Sequence, residues 1–136
     1  MLNEQMLELA NTAASMLDGD VLGSVTVESA DSPEIKEIVG ARNKFKQHNN
    51  IVYIYVVRTD ENNENRFYFT VDPDPDDPAA FGEEIVYTDA LYFASKGTPA
   101  IDRDASEDRW GGFYSTFSPV YDSKGGIGGI LCHPAR

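Results

Sequence analysis

The sequence has few basic residues and a single cysteine, and each shortage excludes a class of protein. Its 11 Lys and Arg residues stand against 23 Asp and Glu, which gives a formal net charge of −12. Nucleic-acid binding normally needs a basic surface that releases counterions from phosphates, so this charge excludes ordinary nucleic-acid partners. Cys132 is the one cysteine among 136 residues, which excludes an internal disulfide framework and a cysteine zinc site.

Long apolar segments are also missing. No run approaches the roughly 20 apolar residues that a membrane-spanning helix needs. The first residues, Met1 to Glu4, lack the basic start and apolar stretch of a signal peptide. Hydrophobic residues nevertheless make up 41% of the chain, with seven Tyr, seven Phe and one Trp, so the chain is not disordered. We predict one domain over residues 1–136 that needs no cofactor.

The acidic residues are concentrated in one part of the chain. Between Asp60 and Asp108 fourteen acidic residues face three basic ones, so this segment carries a net charge of −11. Solvated loops on an acidic surface are the simplest explanation. A cation site or an acidic recognition face is the alternative.

Two helices are predicted in the first third of the chain. Apolar residues recur at steps of three and four over residues 2–16 and predict a long N-terminal helix that ends at Asp18-Gly19-Asp20. Its apolar stripe packs either on the sheet of the same domain or on a second copy of the chain. Asp31-Ser32-Pro33-Glu34 predicts the start of a second helix, which runs as far as residue 46. Residues 20–30 fit either a short helix or a weak strand.

The remaining elements are mostly strands. β-branched and aromatic residues predict strands over 51–58 and 66–72, joined by a polar loop at 59–65. A short helix is predicted from Thr88 or Asp89 to Lys96, with Gly97 ending it. Residues 113–121 and 126–132 predict a second hairpin whose turn uses Gly125. The fold class is therefore α+β, with helices packed on a central antiparallel sheet.

The acidic loop between Asp72 and Glu83 has a spacing that resembles a calcium loop. Four acidic residues occupy relative positions 1, 3, 5 and 12, namely Asp72, Asp74, Asp76 and Glu83. Asp77 stands where the turn needs glycine, and three prolines restrict the loop, so we favour a solvated loop. A calcium-binding or protein-interaction module using residues 72–83 remains an alternative function.

No arrangement of residues singles out an enzyme. Acid–base catalysis needs two carboxyl groups with divergent pKa values in one cleft, and no spacing selects such a pair. A small hydrolase with a carboxylate site is a further alternative, but we predict no catalytic activity. The tyrosines of the first predicted hairpin, Tyr53, Tyr55 and Tyr68, instead indicate a sheet face that mixes aromatic and polar groups and forms one wall of a ligand site.

The segment from Trp110 to Gly125, WGGFYSTFSPVYDSKG, resembles the closing hairpin of Cache domains, also called PDC domains. The upstream elements occur in the same order as in that family, and the resemblance covers most of residues 1–131. It implies a PAS-like sensor on the extracytoplasmic side of a bacterial or archaeal membrane. The chain would then be part of a longer signalling protein, such as a diguanylate cyclase, a histidine kinase or a chemoreceptor. The N-terminal helix would come from the membrane and form a homodimer contact.

The resemblance also implies a binding site for a small molecule. By position it comprises Tyr55, Tyr68, Thr70, Tyr87, Asp89, Trp110, Tyr114 and Ser115. Tyr87 and Asp89 would anchor an amine or a hydroxyl group, because a carboxylate beside aromatic rings favours a cation. The chain lacks the full arginine-tryptophan-tyrosine-aspartate set of amino-acid-binding relatives. Amino acids, small carboxylates and amines therefore all stay open as ligands.

Overall fold

The structure is a computed structural model of the chain. It describes residues 7–8, 11–12, 14–15, 17–30, 32–43, 45–47, 50–52, 54–74, 78–102, 107–108, 111–112 and 114–135.

A six-stranded antiparallel sheet forms the centre of the molecule. Its strands are β3 (Tyr55–Asp60), β4 (Asn63–Val71), β5 (Glu84–Ile85), β6 (Ala100–Asp102), β9 (Tyr114–Tyr121) and β10 (Ile127–Ala135). They lie in the order β5-β4-β3-β10-β9-β6, with every neighbouring pair antiparallel. Two small pairs stand apart from this sheet. They are β1 (Phe45–Gln47) with β2 (Asn50–Val52), and β7 (Glu107–Asp108) with β8 (Gly111–Gly112).

Three short helices have bounds within the described residues: α1 (Gly19–Gly23), α2 (Pro33–Asn43) and α3 (Asp89–Ser95). Oxygen-bearing side chains begin each one. The Asp18 carboxylate accepts from the Asp20 and Val21 amides, the Ser32 hydroxyl from the Ile35 amide, and the Thr88 hydroxyl from the Leu91 amide. Gly97 has a φ of 97° directly after α3, as predicted from its place behind the helix. The mixed α+β class is thereby confirmed.

Of the N-terminal helix predicted up to residue 17, the structure describes residues 7–8, 11–12, 14–15 and 17; the first six are helical, whereas Leu17 forms a bend. The rest of that prediction lies outside the described residues. No helix in the described part of the chain is long and apolar enough to cross a membrane.

The second helix and the first strand differ from the prediction. Helix α2 ends at Asn43 instead of residue 46, and Phe45–Gln47 forms strand β1. The predicted strand 51–58 is divided at Ile54, which lies between β2 and β3 and is buried. Phe45–Gln47 is extended because it has a partner strand in Asn50–Val52, a pairing that helical periodicity cannot reveal.

The turn of the first hairpin is also tighter than the predicted loop over residues 59–65. Asp60 pairs with Asn63, so Glu61 and Asn62 alone make the turn. The Asp60 carboxylate accepts from the Asn62 amide at 2.8 Å, which mimics a backbone turn. Arg66 then binds Asp60 at 2.8 Å and Glu84 at 3.1 Å, which holds three neighbouring strands together.

Both faces of the sheet are covered, each by a different part of the chain. On one face, which we call the N-terminal face, six buried residues from the first part of the chain pack against Val56, Val71, Val120 and Leu131. They are Ala14, Leu17, Leu22, Val25, Ala30 and Val39. On the opposite face, the α3 face, Ala90, Leu91 and Ala94 of the helix pack against Val57, Phe67, Phe69, Phe117 and Ile130. Neighbouring residues of β3 and β10 point to opposite faces, as the alternation of a strand requires. Burial of both faces explains why these strands read as continuous apolar runs.

Candidate functional site

Tyr55 opens β3 and lies on the α3 face. Its ring is 5.1 Å from that of Phe69, and its backbone pairs with Cys132 of β10. Burial raises the pKa of the Cys132 thiol, and hydrogen bonding from Tyr55 lowers it to a smaller extent. The thiol is fully buried, so Cys132 is a small core residue. The Tyr55 phenol is thus fixed between the aromatic core and the centre of the sheet.

Ser115 belongs to the same face. It lies two residues before Phe117 on β9, so alternation directs it to the side that carries α3. On its two sides the backbone pairs with Pro134 and with Asp102. Phe117 pairs with Cys132, which in turn pairs with Tyr55. Tyr55 and Ser115 therefore lie towards the same end of the sheet.

Tyr87 and Asp89 form the second part of the candidate site, at the start of α3. The Tyr87 ring is 6.2 Å from that of Phe67, and 42% of the residue is exposed. Partial burial, the charge of Asp89 and a hydrogen bond from the phenol to the Asp89 carboxylate raise the pKa of Tyr87. Thr88, the N-cap residue of α3, stands between Tyr87 and Asp89 in the sequence, so both residues lie at the start of the helix. The result is an accessible phenol whose pKa is raised in part by a nearby carboxylate.

These two parts share a face but lie towards different ends of it. The Tyr87 ring packs on Phe67 of β4, and Phe67 pairs with Thr59 of β3. Tyr55 begins β3, four residues before Thr59. Four residues of a strand span about 13 Å. The buried residues of α3 pack on the sheet face that both parts share. Of these four residues the structure thus brings Tyr87 and Asp89 together, whereas Tyr55 and Ser115 share the face from strands that are separated by β10.

A lysine and a glutamate flank the Tyr87–Asp89 pair. The Lys96 ammonium lies 3.0 Å from the Glu64 carboxylate and 5.4 Å from the centre of the Tyr92 ring. The bond to Glu64 and the charge of Glu64 raise the pKa of Lys96. This ion pair links the end of α3 to β4 near the tip of the hairpin.

Tyr68 and Thr70 do not belong to this face, so the predicted mixed face of the sheet is wrong. Tyr68 pairs with Arg58 on the N-terminal face and accepts a hydrogen bond from the Arg58 Nη1 atom at 3.5 Å. Its ring meets Phe81 at 5.8 Å and 66°. Thr70 is 2% exposed and donates its hydroxyl to the Val56 carbonyl at 3.2 Å. The alternation predicted for the second strand holds as far as Phe69, where a bulge at Thr70 places Val71 on the N-terminal face, and the register puts Tyr55 and Tyr68 on opposite faces.

The last two predicted ligand residues have no described side chain. Trp110 lies outside the described residues, as does Tyr53 of the predicted aromatic wall. For Tyr114 the structure describes the backbone, which begins β9 opposite Ala135. Their contribution to the site stays a prediction.

The acidic loop is organised by Asp72. This residue is 7% exposed, and its carboxylate accepts from the Ala79 amide at 2.8 Å and from the Asp74 amide at 3.2 Å. Asp76 lies outside the described residues, and Glu83 is exposed. Within the described ranges no three His, Cys, Asp or Glu residues are grouped as metal ligands would be. Both Asp72 oxygens close the loop, which is a structural use of this carboxylate.

Arg58 is the residue that the sequence analysis missed. Its Nη2 atom lies 2.8 Å from the Leu22 carbonyl, 3.2 Å from that of Gly23 and 3.1 Å from that of Val25. The available signal was an arginine at the end of an otherwise apolar and aromatic strand. Such a residue, half-buried, needs acceptors, but the sequence does not say which segment supplies them.

Comparison with known proteins adds no relative. No protein-family model, no curated protein and no solved structure matches the chain.

Proposed function

We propose that the chain is an extracytoplasmic, PAS-like Cache domain that senses a small molecule for a membrane signal-transduction protein. The ligand binds on the α3 face, and a long N-terminal helix transmits the change to the membrane. The domain performs no catalysis. In the full-length protein it is tethered to the membrane and dimerises through the N-terminal helix.

One observation carries the proposal: the two faces of the sheet have different partners. The α3 face carries Tyr55 and Ser115, with Tyr87 and Asp89 at the start of its helix, whereas the N-terminal face is covered by buried residues between Ala14 and Val39. A ligand on the first face and an output segment on the second would be coupled through one shared sheet. A ligand that favours one arrangement of the α3 face would then shift the sheet and, through the sheet, the N-terminal helix.

The strand order supports the same proposal. The first and last strands of the central sheet, β3 and β10, are neighbours at its centre, and the helix α3 lies in the connection between the two hairpins. PAS-like domains share this arrangement of two adjacent hairpins with a helical connection across one face.

The chemistry of these exposed and half-buried groups limits the ligand class. Tyr87 and Asp89 offer a phenol and a carboxylate, which suit an ammonium or a hydroxyl group. Tyr55 and Ser115 offer hydroxyl groups, which suit a carboxylate. Free amino acids, small carboxylates and amines are therefore the compounds to screen.

A thermal-shift screen of these three classes, followed by calorimetry of any hit, tests the proposal. We expect saturable stabilisation that Tyr55→Phe or Asp89→Asn weakens by at least about tenfold in Kd, the cost of one charge-assisted hydrogen bond. The exposed Glu28→Gln variant is the control and should bind as the wild type does. Tyr68→Phe tests the face, because a loss equal to that of Tyr55→Phe would contradict a site on the α3 face. Absence of any saturable hit in all three classes would contradict sensing of these ligands.

A further inference from the structure

The short segment 18–25, which contains α1, is attached to the sheet more closely than an ordinary connection. Asp18 caps the helix, and Leu22 is fully buried against Val56 and Leu131 of the N-terminal face cluster. The segment follows the described helical residues 7–8, 11–12 and 14–15 in the chain. The residues before it also contact the sheet directly, because Ser118 donates to Asn11 at 3.0 Å and Ala14 and Leu17 are buried in the same cluster, so the segment 18–25 is a second connection between the sheet and the N-terminal residues.

Two glycines bring the backbone of α1 into direct contact with the β9–β10 hairpin. A Cβ atom on Gly128 would lie 2.0 Å from the Gly19 carbonyl oxygen. A Cβ atom on Gly19 would lie 2.2 Å from the Tyr121 carbonyl oxygen. Glycine is needed at both positions because any side chain would push the two backbones apart. The helix and the hairpin are thus in contact without intervening side chains.

The turn of the same hairpin is attached to α1 by a carboxylate. The Ser123 amide donates to the two oxygens of Asp20 at 3.2 Å and 3.3 Å. The turn itself is closed by Asp122, whose carboxylate accepts from the Lys124 and Gly126 amides. Asp20 therefore binds a well-defined turn, and it fixes the position of α1 along the hairpin.

Arg58 attaches α1 to a second hairpin. The carbonyl oxygens of Leu22 and Gly23 at the end of the helix, and that of Val25 two residues beyond it, surround the Arg58 Nη2 atom within 3.2 Å. The last carbonyls of a helix lack partners within the helix and carry partial negative charge, which a guanidinium neutralises. Because Nη1 also donates to the Tyr68 hydroxyl, the same side chain is held in place by β4.

We propose that Arg58 is a latch that locks α1 to the β3–β4 hairpin, so that α1 and both hairpins move as one body. The latch holds the C-terminal end of α1, while the Gly19–Gly128 contact and Asp20 hold its N-terminal end. A shift of either hairpin then displaces the helical residues that precede Asp18. Its use in signalling rests on the proposed function, whereas the latch itself requires no ligand.

Hydrogen exchange of the ligand-free chain, followed by mass spectrometry, tests the latch. The reporters are the Leu22, Ser24 and Val25 amides, which bond to the Asp18, Val21 and Leu22 carbonyls. In Arg58→Gln we expect these amides to exchange at least about tenfold faster, with residues 7–15 following, while strand β10 stays within about twofold. In Arg58→Lys a single ammonium group replaces the guanidinium, so the exchange rates of the α1 amides should lie between those of the wild type and of Arg58→Gln.

Arg66→Gln is the matched control, because it removes a guanidinium from the same hairpin without touching α1. Its α1 exchange should equal that of the wild type. Unchanged α1 exchange in Arg58→Gln would overturn the latch, as would a uniform increase over α1 and β10, which indicates general destabilisation. If Arg58→Gln does not fold, the exchange of the α1 and β10 amides in Arg58→Lys is compared with the wild type in the same way. Because no ligand is present, a failed latch leaves the ligand screen standing, and a failed screen leaves the latch standing.

Discussion

Val57 pairs with Phe69 across the first hairpin, although the preceding residue of β3, Val56, pairs with Val71. Thr70 is therefore an extra residue, and the strand β4 carries a bulge at this point. The bulge directs Phe69 to the α3 face and Val71 to the N-terminal face. It also turns the Thr70 hydroxyl back to the Val56 carbonyl, which removes this predicted ligand residue from the site.

Gly128→Ala should destabilise the protein, whereas Gly23→Ala should not. At Gly128 the new Cβ would lie 2.0 Å from the Gly19 carbonyl, while at Gly23 the nearest atom is 3.4 Å away. We expect the free energy of unfolding to fall by about 1–3 kcal/mol for Gly128→Ala, as in overpacked sites. For Gly23→Ala the change should stay within about 1 kcal/mol, since alanine favours the helix. Urea unfolding of both variants measures this, and equal destabilisation would contradict the close contact.

Asp72→Asn should weaken the acidic loop. The amide group keeps one acceptor oxygen, but its nitrogen cannot accept from a backbone amide as the second carboxylate oxygen does. We expect a loss of about 1–2 kcal/mol in the free energy of unfolding. The exposed Glu83→Gln variant should change stability by less than about 0.5 kcal/mol. Calcium at millimolar concentration that stabilises the wild type but not Asp72→Asn would contradict a purely structural carboxylate.

Tyr87 should titrate above the ordinary tyrosine pKa of about 10. Its pKa is raised by partial burial and then by Asp89, so Asp89→Asn should lower it towards the ordinary value. Because the folded-state pKa is the higher one, Tyr87 supports the fold below the unfolded pKa, and this support is lost as the pH rises through the folded pKa. NMR of ring-labelled tyrosine, assigned with Tyr87→Phe, measures the shift. A Tyr87 pKa that Asp89→Asn leaves unchanged would contradict the contact.

Local chemistry predicted much of this fold. Ser32 before Pro33, Thr88 before Asp89 and the glycines at 97 and 125 mark element ends through caps and positive φ, which are properties of a few neighbouring residues. The antiparallel hairpins were predicted on the same basis. These features need no knowledge of the rest of the chain.

The site was less predictable because it depends on register and on distant partners. Tyr55 and Tyr68 each alternate as expected, but the pairing of Val57 with Phe69 decides their faces. Arg58 has its acceptors more than thirty residues earlier in the chain, at Leu22 to Val25. Strand periodicity carries no information about such long-range contacts, so neither relationship was accessible from the sequence.

The two outermost strands of the sheet, β5 and β6, have consequences for how copies of the chain meet. They contain two and three residues, and each includes an acidic residue, Glu84 or Asp102. Short charged edges give another strand little backbone to pair with, which protects against edge-to-edge aggregation. Self-association of this domain should therefore use side-chain surfaces, such as that of the helical N-terminal segment, and leave the sheet six strands wide.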